Sequence, residues 1–306
     1  MRILVTGATT QTGSLAVRAL VRDGYAVRCL VHSDEQRRFL PPTGVEIVRG
    51  DLEQPEGLRA ALQGIDVVAQ IAHIRFAPSL IAVCKEMGTR RVIFFSSTRL
   101  YTKFDSLSAR QVREGERAIE ASALDYTILR PSMIYGSRRD NNISRLIRYL
   151  RRHRVFPLIA GGKNLVQPVF VLDVVEALRQ AIKQPATVRS AYTLAGPEPM
   201  TYRAMIETIA RGLGRRATLL PVPLAPALWA VRCYETIARQ PRVTREQIRR
   251  MAEDRAFDIA LARRELDFAP VAFEEGVRRQ IAGEIDAVWA DDATAKKSVA
   301  REPRDA

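Results

Sequence analysis

Along the first 130 residues, short apolar runs alternate with segments whose apolar residues recur every three or four positions. The short runs are RILVT (2–6), AVRCLV (26–31), VEIV (45–48), DVVAQIA (66–72), RVIFFS (91–96) and YTILR (126–130). They are rich in β-branched residues and nearly unbroken by charge, the pattern of strands buried on both faces. Between them, SLAVRALVRDG and APSLIAVCKEMG carry the helical period, and each closes on a glycine. This succession predicts an α/β fold, a Rossmann-type doubly wound parallel sheet, with ligands at the C-terminal ends of its strands.

After RPSMIYG (130–136) the rhythm changes. A basic helix is expected over roughly 141–153, then QPVFVLDVVEALRQAI, a short strand AYTLAG (191–196), a helix from MTYRAMIETIARGLG, and a proline-bounded helical stretch over 223–240. These pieces are too short and mixed for a second sheet of their own. They predict a small C-terminal α/β cap. The expected division is a dinucleotide-binding core at 1–136, a substrate-side cap at 137–290 with segments returning to that core, and a disordered tail at 291–306, which has no apolar face.

Composition narrows the function classes. Apolar residues make up 47% of 306, enough for a sizeable core. The net charge of +14 is almost wholly arginine, with only 6 lysines, and no nucleic-acid-reading module accompanies it. Nucleic acid is not an expected partner. Cys29, Cys84 and Cys233 are far apart in apolar runs and read as reduced core residues, and His32, His73 and His153 lack metal-ligand spacing. No metal is expected. The chain begins directly on a strand, and its longest uncharged stretch, 217–231, is too short and too rich in proline to span a bilayer. A cytoplasmic protein is the expectation.

The candidate chemistry starts at GATTQTG (7–13), between the first strand and the first helix. A dinucleotide turn needs glycine for a tight bend, for backbone approach to the pyrophosphate, and for helix–strand packing. Gly7 supplies the bend and Gly13 the packing, while Thr10 puts a β-branched side chain where the backbone should come close. The helix N-terminus still offers N–H groups and a favourable dipole, flanked by Thr9, Thr10, Gln11 and Thr12. Binding is expected to survive with an adjusted phosphate position. At the end of the second strand, an acid would select NAD and a cation NADP. Here stand His32 and Ser33, with Arg37 and Arg38 on the next turn, which favours NADP(H) over NAD(H). After the third strand, Asp51 and Leu52 offer an adenine site.

The set VTGATTQTG, GDL, VIFFSS, LDYTILRPSMIYG and FVLDVVEAL resembles, in that order, the extended and atypical short-chain dehydrogenases/reductases, the NAD-dependent epimerase/dehydratase family. The resemblance runs from residue 1 to about 280. It is nearest to the atypical branch with NmrA-like regulators and the nucleotide-binding accessory subunit of respiratory complex I. It implies phosphate contacts at Gly7, Thr10 and Gly13, adenine contacts at Asp51 and Leu52, Ala72 near the ribose, and Pro131 near the nicotinamide.

The family's chemistry uses a hydroxyl residue after the fifth strand and a Tyr-x-x-x-Lys pair one helical turn apart. Ser97 occupies the hydroxyl position, but the helix over 106–123 holds neither tyrosine nor lysine. Tyr101 and Lys103 are the nearby substitutes, and Arg110 or Arg113 could anchor a ribose without tuning a base. Two functions stay open. One is an NAD(P)H-dependent oxidoreductase or epimerase-like enzyme on a small carbonyl or sugar-type substrate, with Ser97 and Tyr101 involved. The other is a non-catalytic nucleotide-binding regulatory or accessory protein. Arginines 138, 139, 145, 148, 151, 152 and 154 border the expected substrate cleft, where they could hold a phosphorylated substrate or meet anionic lipid headgroups.

Overall fold

Ile3, Leu4 and Val5 in the first strand are fully buried, yet their side chains go to opposite sides of the sheet. Ile3 and Val5 join one apolar cluster and Leu4 joins another. The same alternation holds for Val67 and Ala69 against Val68, and for Ile93 and Phe95 against Val92 and Phe94. A strand whose residues are apolar on both faces must be covered on both faces, at about 1.5–3 kcal/mol for each large side chain withdrawn from water. That requirement produces the three-layer arrangement.

The structure is a computed structural model and describes residues 1–237 and 253–288. In chain order the core elements are β1 (Arg2–Thr6), α1 (Gln11–Arg22), β2 (Ala26–Val31), β3 (Val45–Arg49), α2 (Pro55–Leu62), β4 (Val67–Gln70), α3 (Ala77–Met87), β5 (Arg91–Phe95), α4 (Leu107–Glu120) and β6 (Asp125–Pro131). Then follow β7 (Ile134–Tyr135), α5 (Ile143–Arg152), β8 (Val155–Ile159), β9 (Leu165–Val166), β10 (Val169–Phe170), α6 (Val171–Lys183), β11 (Ser190–Leu194), β12 (Met200–Thr201), α7 (Tyr202–Gly212), β13 (Thr218–Val222) and α8 (Leu224–Ile237). Two further helices span Ala260–Glu265 and Phe273–Ala282. The stretch expected to be a disordered tail, 291–306, lies outside the described residues, as does the end of the helical stretch 223–240.

The central sheet has seven parallel strands in the order β11-β6-β5-β4-β1-β2-β3. Chain direction across the sheet reverses between β1 and β4, the switch point at which a Rossmann sheet opens its ligand crevice. The six strands read from the sequence are all present. The stretch AYTLAG, read within the cap whose segments return to the core, pairs in parallel with β6, Ser190 opposite Thr127, and completes the main sheet. Arg91 on β5 ties this edge together by donating to the Asp125 and Ala181 carbonyls and to the Thr127 and Thr187 hydroxyls, at 2.6–2.9 Å. On one face α6 lies against α1, where Arg179 makes a bidentate pair with Asp23 at 2.6 and 2.7 Å. The remaining strands form three two-stranded pairs, β10-β7, β12-β9 and β13-β8.

Candidate functional site

The turn after β1 is built as its glycines require. Gly7 has φ +67°, in the left-handed region, and a Cβ there would lie 2.5 Å from the Ala72 nitrogen. A Cβ on Gly13 would collide with the Gly7 carbonyl oxygen. Both glycines therefore let the first helix, the turn and the end of β4 meet at the switch point. Thr10 has a different part from the one its bulk suggests. It is the N-cap of α1: its Oγ1 accepts from the Gly13 amide at 3.1 Å and donates to the Gly7 carbonyl at 2.8 Å. The hydroxyl folds back into the turn, and the first-turn amides of Gln11 and Thr12 are the ones an intrahelical bond cannot reach. Thr9 lies beside it, and its carbonyl accepts from the Arg139 guanidinium at 2.7 Å.

These residues fit a dinucleotide. Besides the glycine cradle, Thr6 Oγ1, Gln11 Nε2 and Gln70 Oε1 are buried polar atoms with no protein partner, and Thr6 and Gln70 end the two strands that flank the crevice. Buried polar atoms without a partner cost stability unless something else satisfies them.

At the end of β2, His32 is exposed, with Nδ1 at 3.7 Å from Asp51, and Ser33 opens the 3-10 turn Asp34–Phe39. Arg37 is exposed and pairs with Asp34 at 3.0 Å. The cations that crowd this corner are others. Arg139 lies 4.0 Å from the Phe39 ring centre, Arg38 4.8 Å from it, and Arg18 donates to the Phe39 carbonyl at 2.9 Å. Burial, then the charges of Arg18 and Arg38, hold the Arg139 guanidinium below its ordinary value. Asp51 accepts from the Glu53 amide at 2.9 Å, while Leu52 is buried in the core on the α2 side. The sequence reading missed Arg18 and gave Arg139 to the substrate side; only chain folding brings them to the nucleotide turn.

A cleft of about 1130 Å³ opens beside the C-terminal ends of β5, β6 and β11. Ser97, Thr98, Tyr101, Ser132, Gln167 and Thr193 line one side, and residues 253–258 cross the other. That segment is pinned at both edges. Glu253 accepts from the Thr102 hydroxyl and the Lys103 amide, each at 2.8 Å, while Asp254 accepts from the Leu165 amide at 2.7 Å. Phe257 packs on the Tyr101 ring at 5.8 Å. Ser97 accepts from the Arg99 amide at 3.2 Å, which leaves its hydrogen for another acceptor.

A buried ion pair links α4 to β6. Glu116 on α4 and Arg130 on β6 have side chains 4% and 14% exposed, and Arg130 Nη2 lies 2.6 Å from the carboxylate. Ser96 also donates to Glu116. Burial works against the Arg130 charge, but the hydrogen bonds and charge of Glu116 outweigh it and hold the guanidinium above its ordinary value. The second arm of Arg130 reaches the Tyr101 phenol at 3.3 Å, and Thr193 lies 3.0 Å from the same oxygen.

Of the candidate catalytic residues, Ser97 and Tyr101 thus share the cleft. Lys103 is exposed and is not among the residues lining it. Arg110 and Arg113, the residues that could anchor a ribose, both pair with Asp105 at 3.0 Å. Pro131 closes β6 opposite Leu194, beside the cleft wall. Of the basic residues around α5, only Arg145 lines the cleft.

The sheet order, the crevice and the glycine turn are those of a Rossmann-type fold of the kind that binds dinucleotides at its switch point. Residues 7–148 match the model of the family described as NAD(P)H-binding. The chain is 26% identical over 267 residues to the mitochondrial NADH dehydrogenase (ubiquinone) 1 alpha subcomplex subunit 9 of Mus musculus, covering 81% of this chain and 70% of that protein. It is 26% identical over 238 residues to an NAD(P)H azoreductase of Xenophilus azovorans, covering 75% and 80%. The fold matches that of the UDP-glucuronic acid 4-epimerase from Bacillus cereus, a structure with UDP-glucuronic acid and NAD, at TM-score 0.73 and 18% identity over 94% of this chain and 100% of that one. Among the described residues, no helix is long and apolar enough to cross a membrane.

Proposed function

We propose that the chain binds NADP(H) in preference to NAD(H) at the Gly7–Gly13 turn and reduces a small carbonyl or sugar-type substrate in the adjoining cleft. The preference rests on Arg18, Arg38 and Arg139 gathered at the corner where β2 ends, with Asp34 already paired to Arg37. In this reading Gly7, Thr9, Gln11, Thr12 and Gly13 hold the pyrophosphate, His32 and Ser33 face the adenosine ribose with Arg37 at its rim, Asp51 and Leu52 border the adenine, and Ala72 and Pro131 flank the nicotinamide side.

The observation that carries the reductase reading is the hydrogen bonding of Tyr101. Arginine has donors only, so the Tyr101 oxygen accepts from Arg130, and the phenol hydrogen is left for Thr193 or for an acceptor in the cleft. NADPH, when bound, supplies the hydride. A substrate carbonyl oxygen takes the Tyr101 proton, and Arg130 stands beside the negative charge this leaves. Ser97 donates a second hydrogen bond to the same oxygen. Tyr101 is 48% exposed, so solvent can restore its proton.

A second reading, a non-catalytic nucleotide-responsive accessory protein, is favoured by α4, which holds neither tyrosine nor lysine. The similarity to a respiratory-complex subunit supports it too. NADPH consumption against small aldehydes, ketones, quinones and nucleotide sugars separates the two. The reductase reading expects turnover that Tyr101→Phe lowers by about a hundredfold and Ser97→Ala by a similar factor, with NADPH affinity unchanged. Intact NADPH binding with no turnover on any of these substrates supports the accessory reading instead.

A further inference from the structure

The paired strands β8 and β13 bury apolar residues on one face and leave apolar residues of the other about half exposed. Val155 stands opposite Thr218, Pro157 opposite Leu220, and Ile159 opposite Val222. These alternate residues share one side of the ribbon, because side chains on a strand repeat every second position. Phe156 and Leu158, on the other side, are buried at 8% and 0% exposure. On the outer side, Val155 is 49% exposed and Leu220 56%, although five of its six residues are apolar. An edge ribbon facing water would ordinarily alternate apolar with polar.

The helix α8 continues from this ribbon with the sequence LAPALWAVRCYETI. None of its described side chains is buried, and Trp229 is 70% exposed. Among the described residues, ribbon and helix together expose contiguous apolar and aromatic surface, the kind of surface that marks an interaction site.

Its surroundings carry one sign of charge. Residues 143–159 hold five arginines and no acid, and residues 208–234 hold four arginines and no acid. Arg152, Arg154, Arg215 and Arg216 are exposed at the end of the ribbon where Val155 and Thr218 meet, and Arg215 reaches across to the Arg151 carbonyl. Among the described residues, none of these cations is in an ion pair with an acid. A partner that accepts apolar residues in its interior and cations at its edge fits this layout.

We infer that the outer face of β8–β13 and α8 docks on an anionic lipid bilayer, with Leu220 and Trp229 inserted at headgroup depth and the arginines on the phosphates. The helix is about 21 Å long, short of the roughly 30 Å of a hydrocarbon core, so it lies along the surface. Tryptophan and tyrosine favour that interfacial depth, and arginine stems extend to the headgroups while covering apolar surface. This inference is independent of what the cleft does.

The test uses the full chain with Trp289→Phe, which leaves Trp229 as the one tryptophan. Flotation is measured with vesicles of phosphatidylcholine alone and of phosphatidylcholine with phosphatidylglycerol, alongside Trp229 emission. The protein should float with the anionic vesicles only, its emission should shift to the blue, and added salt should weaken the binding. Arg152→Gln with Arg216→Gln should lower partitioning by about thirtyfold, the equivalent of about 1 kcal/mol for each arginine near such a surface. Leu220→Ser with Trp229→Ser should abolish it. Both sets change exposed residues, and circular dichroism checks the fold; the arginine pair carries the test if the apolar pair fails to fold. No flotation, or equal flotation on neutral and anionic vesicles, overturns the inference. So does a dimer in vesicle-free solution that Trp229→Ser splits, which would give the face to a second copy of the chain.

Discussion

Replacing Arg130 with methionine strands the Glu116 carboxylate. That carboxylate is 4% exposed and accepts from Arg130 Nε at 3.0 Å and Nη2 at 2.6 Å. With the guanidinium gone, only the Ser96 hydroxyl would remain as a donor among the described residues. Breaking one side of a buried pair leaves an uncompensated charge and costs about 3–5 kcal/mol, far more than an exposed pair is worth. Glu116→Gln together with Arg130→Met removes both charges and should regain most of that loss. Urea unfolding of the wild type, the two single variants and the double variant gives the coupling, expected at about 2 kcal/mol or more. A loss below about 1 kcal/mol in Arg130→Met, or simple additivity, would refute the reasoning. Water would then reach Glu116, and Arg130 would not be a rigid donor to Tyr101.

Thr10→Ala should destabilise the protein by about 1 kcal/mol through loss of the N-cap, while Thr10→Gly should cost only a few tenths, as measured by thermal or urea unfolding. Equal losses would mean that the hydroxyl does not cap α1. Burial pushes the Asp173 carboxyl up from 3.8 to about 6, despite its hydrogen bond from the Val271 amide at 3.0 Å. A carboxyl raised in the folded state holds its proton more tightly there, so this contribution is most favourable below about pH 3.8 and declines as pH rises to about 6. Asp173→Asn keeps an oxygen for Val271, and its stability relative to wild type should rise across that window by up to about 3 kcal/mol. A pH-independent difference would contradict the shift.

The sheet was largely legible because its signal is local. A strand buried on both faces needs a continuous apolar run, and β1, β2, β4, β5 and β6 show such runs whatever their partners, while the edge strand β3 is only half-buried. The destination of β11 was not legible: its pairing with β6 depends on the crossover through α6 and on Arg91 holding the edge, and a short run such as AYTLAG carries neither. The glycine turn was read correctly in outline, since bend and packing follow from residue type. The part played by Thr10 was not, because a hydroxyl that caps and a side chain that obstructs have the same sequence.

The cleft was the least legible part. Searching α4 for tyrosine and lysine found neither and passed over Glu116, whose burial depends on an arginine fourteen residues away on β6. Tyr101 was named, but Arg130 and Thr193 come to it from separate strands, and the segment 253–258 closes the cleft from far along the chain. Residue types can nominate one member of such a constellation. Its partners are set by packing.

The central claim is that the turn carrying Thr10 is a working nucleotide site that prefers the phosphorylated cofactor. Titration of the purified protein with NADPH and with NADH, followed by nicotinamide fluorescence, tests it most directly. Both cofactors should bind saturably with NADPH the tighter, and Arg139→Gln should narrow the difference. Binding of neither would contradict the site itself, and tighter binding of NADH would contradict the role given to Arg18, Arg38 and Arg139.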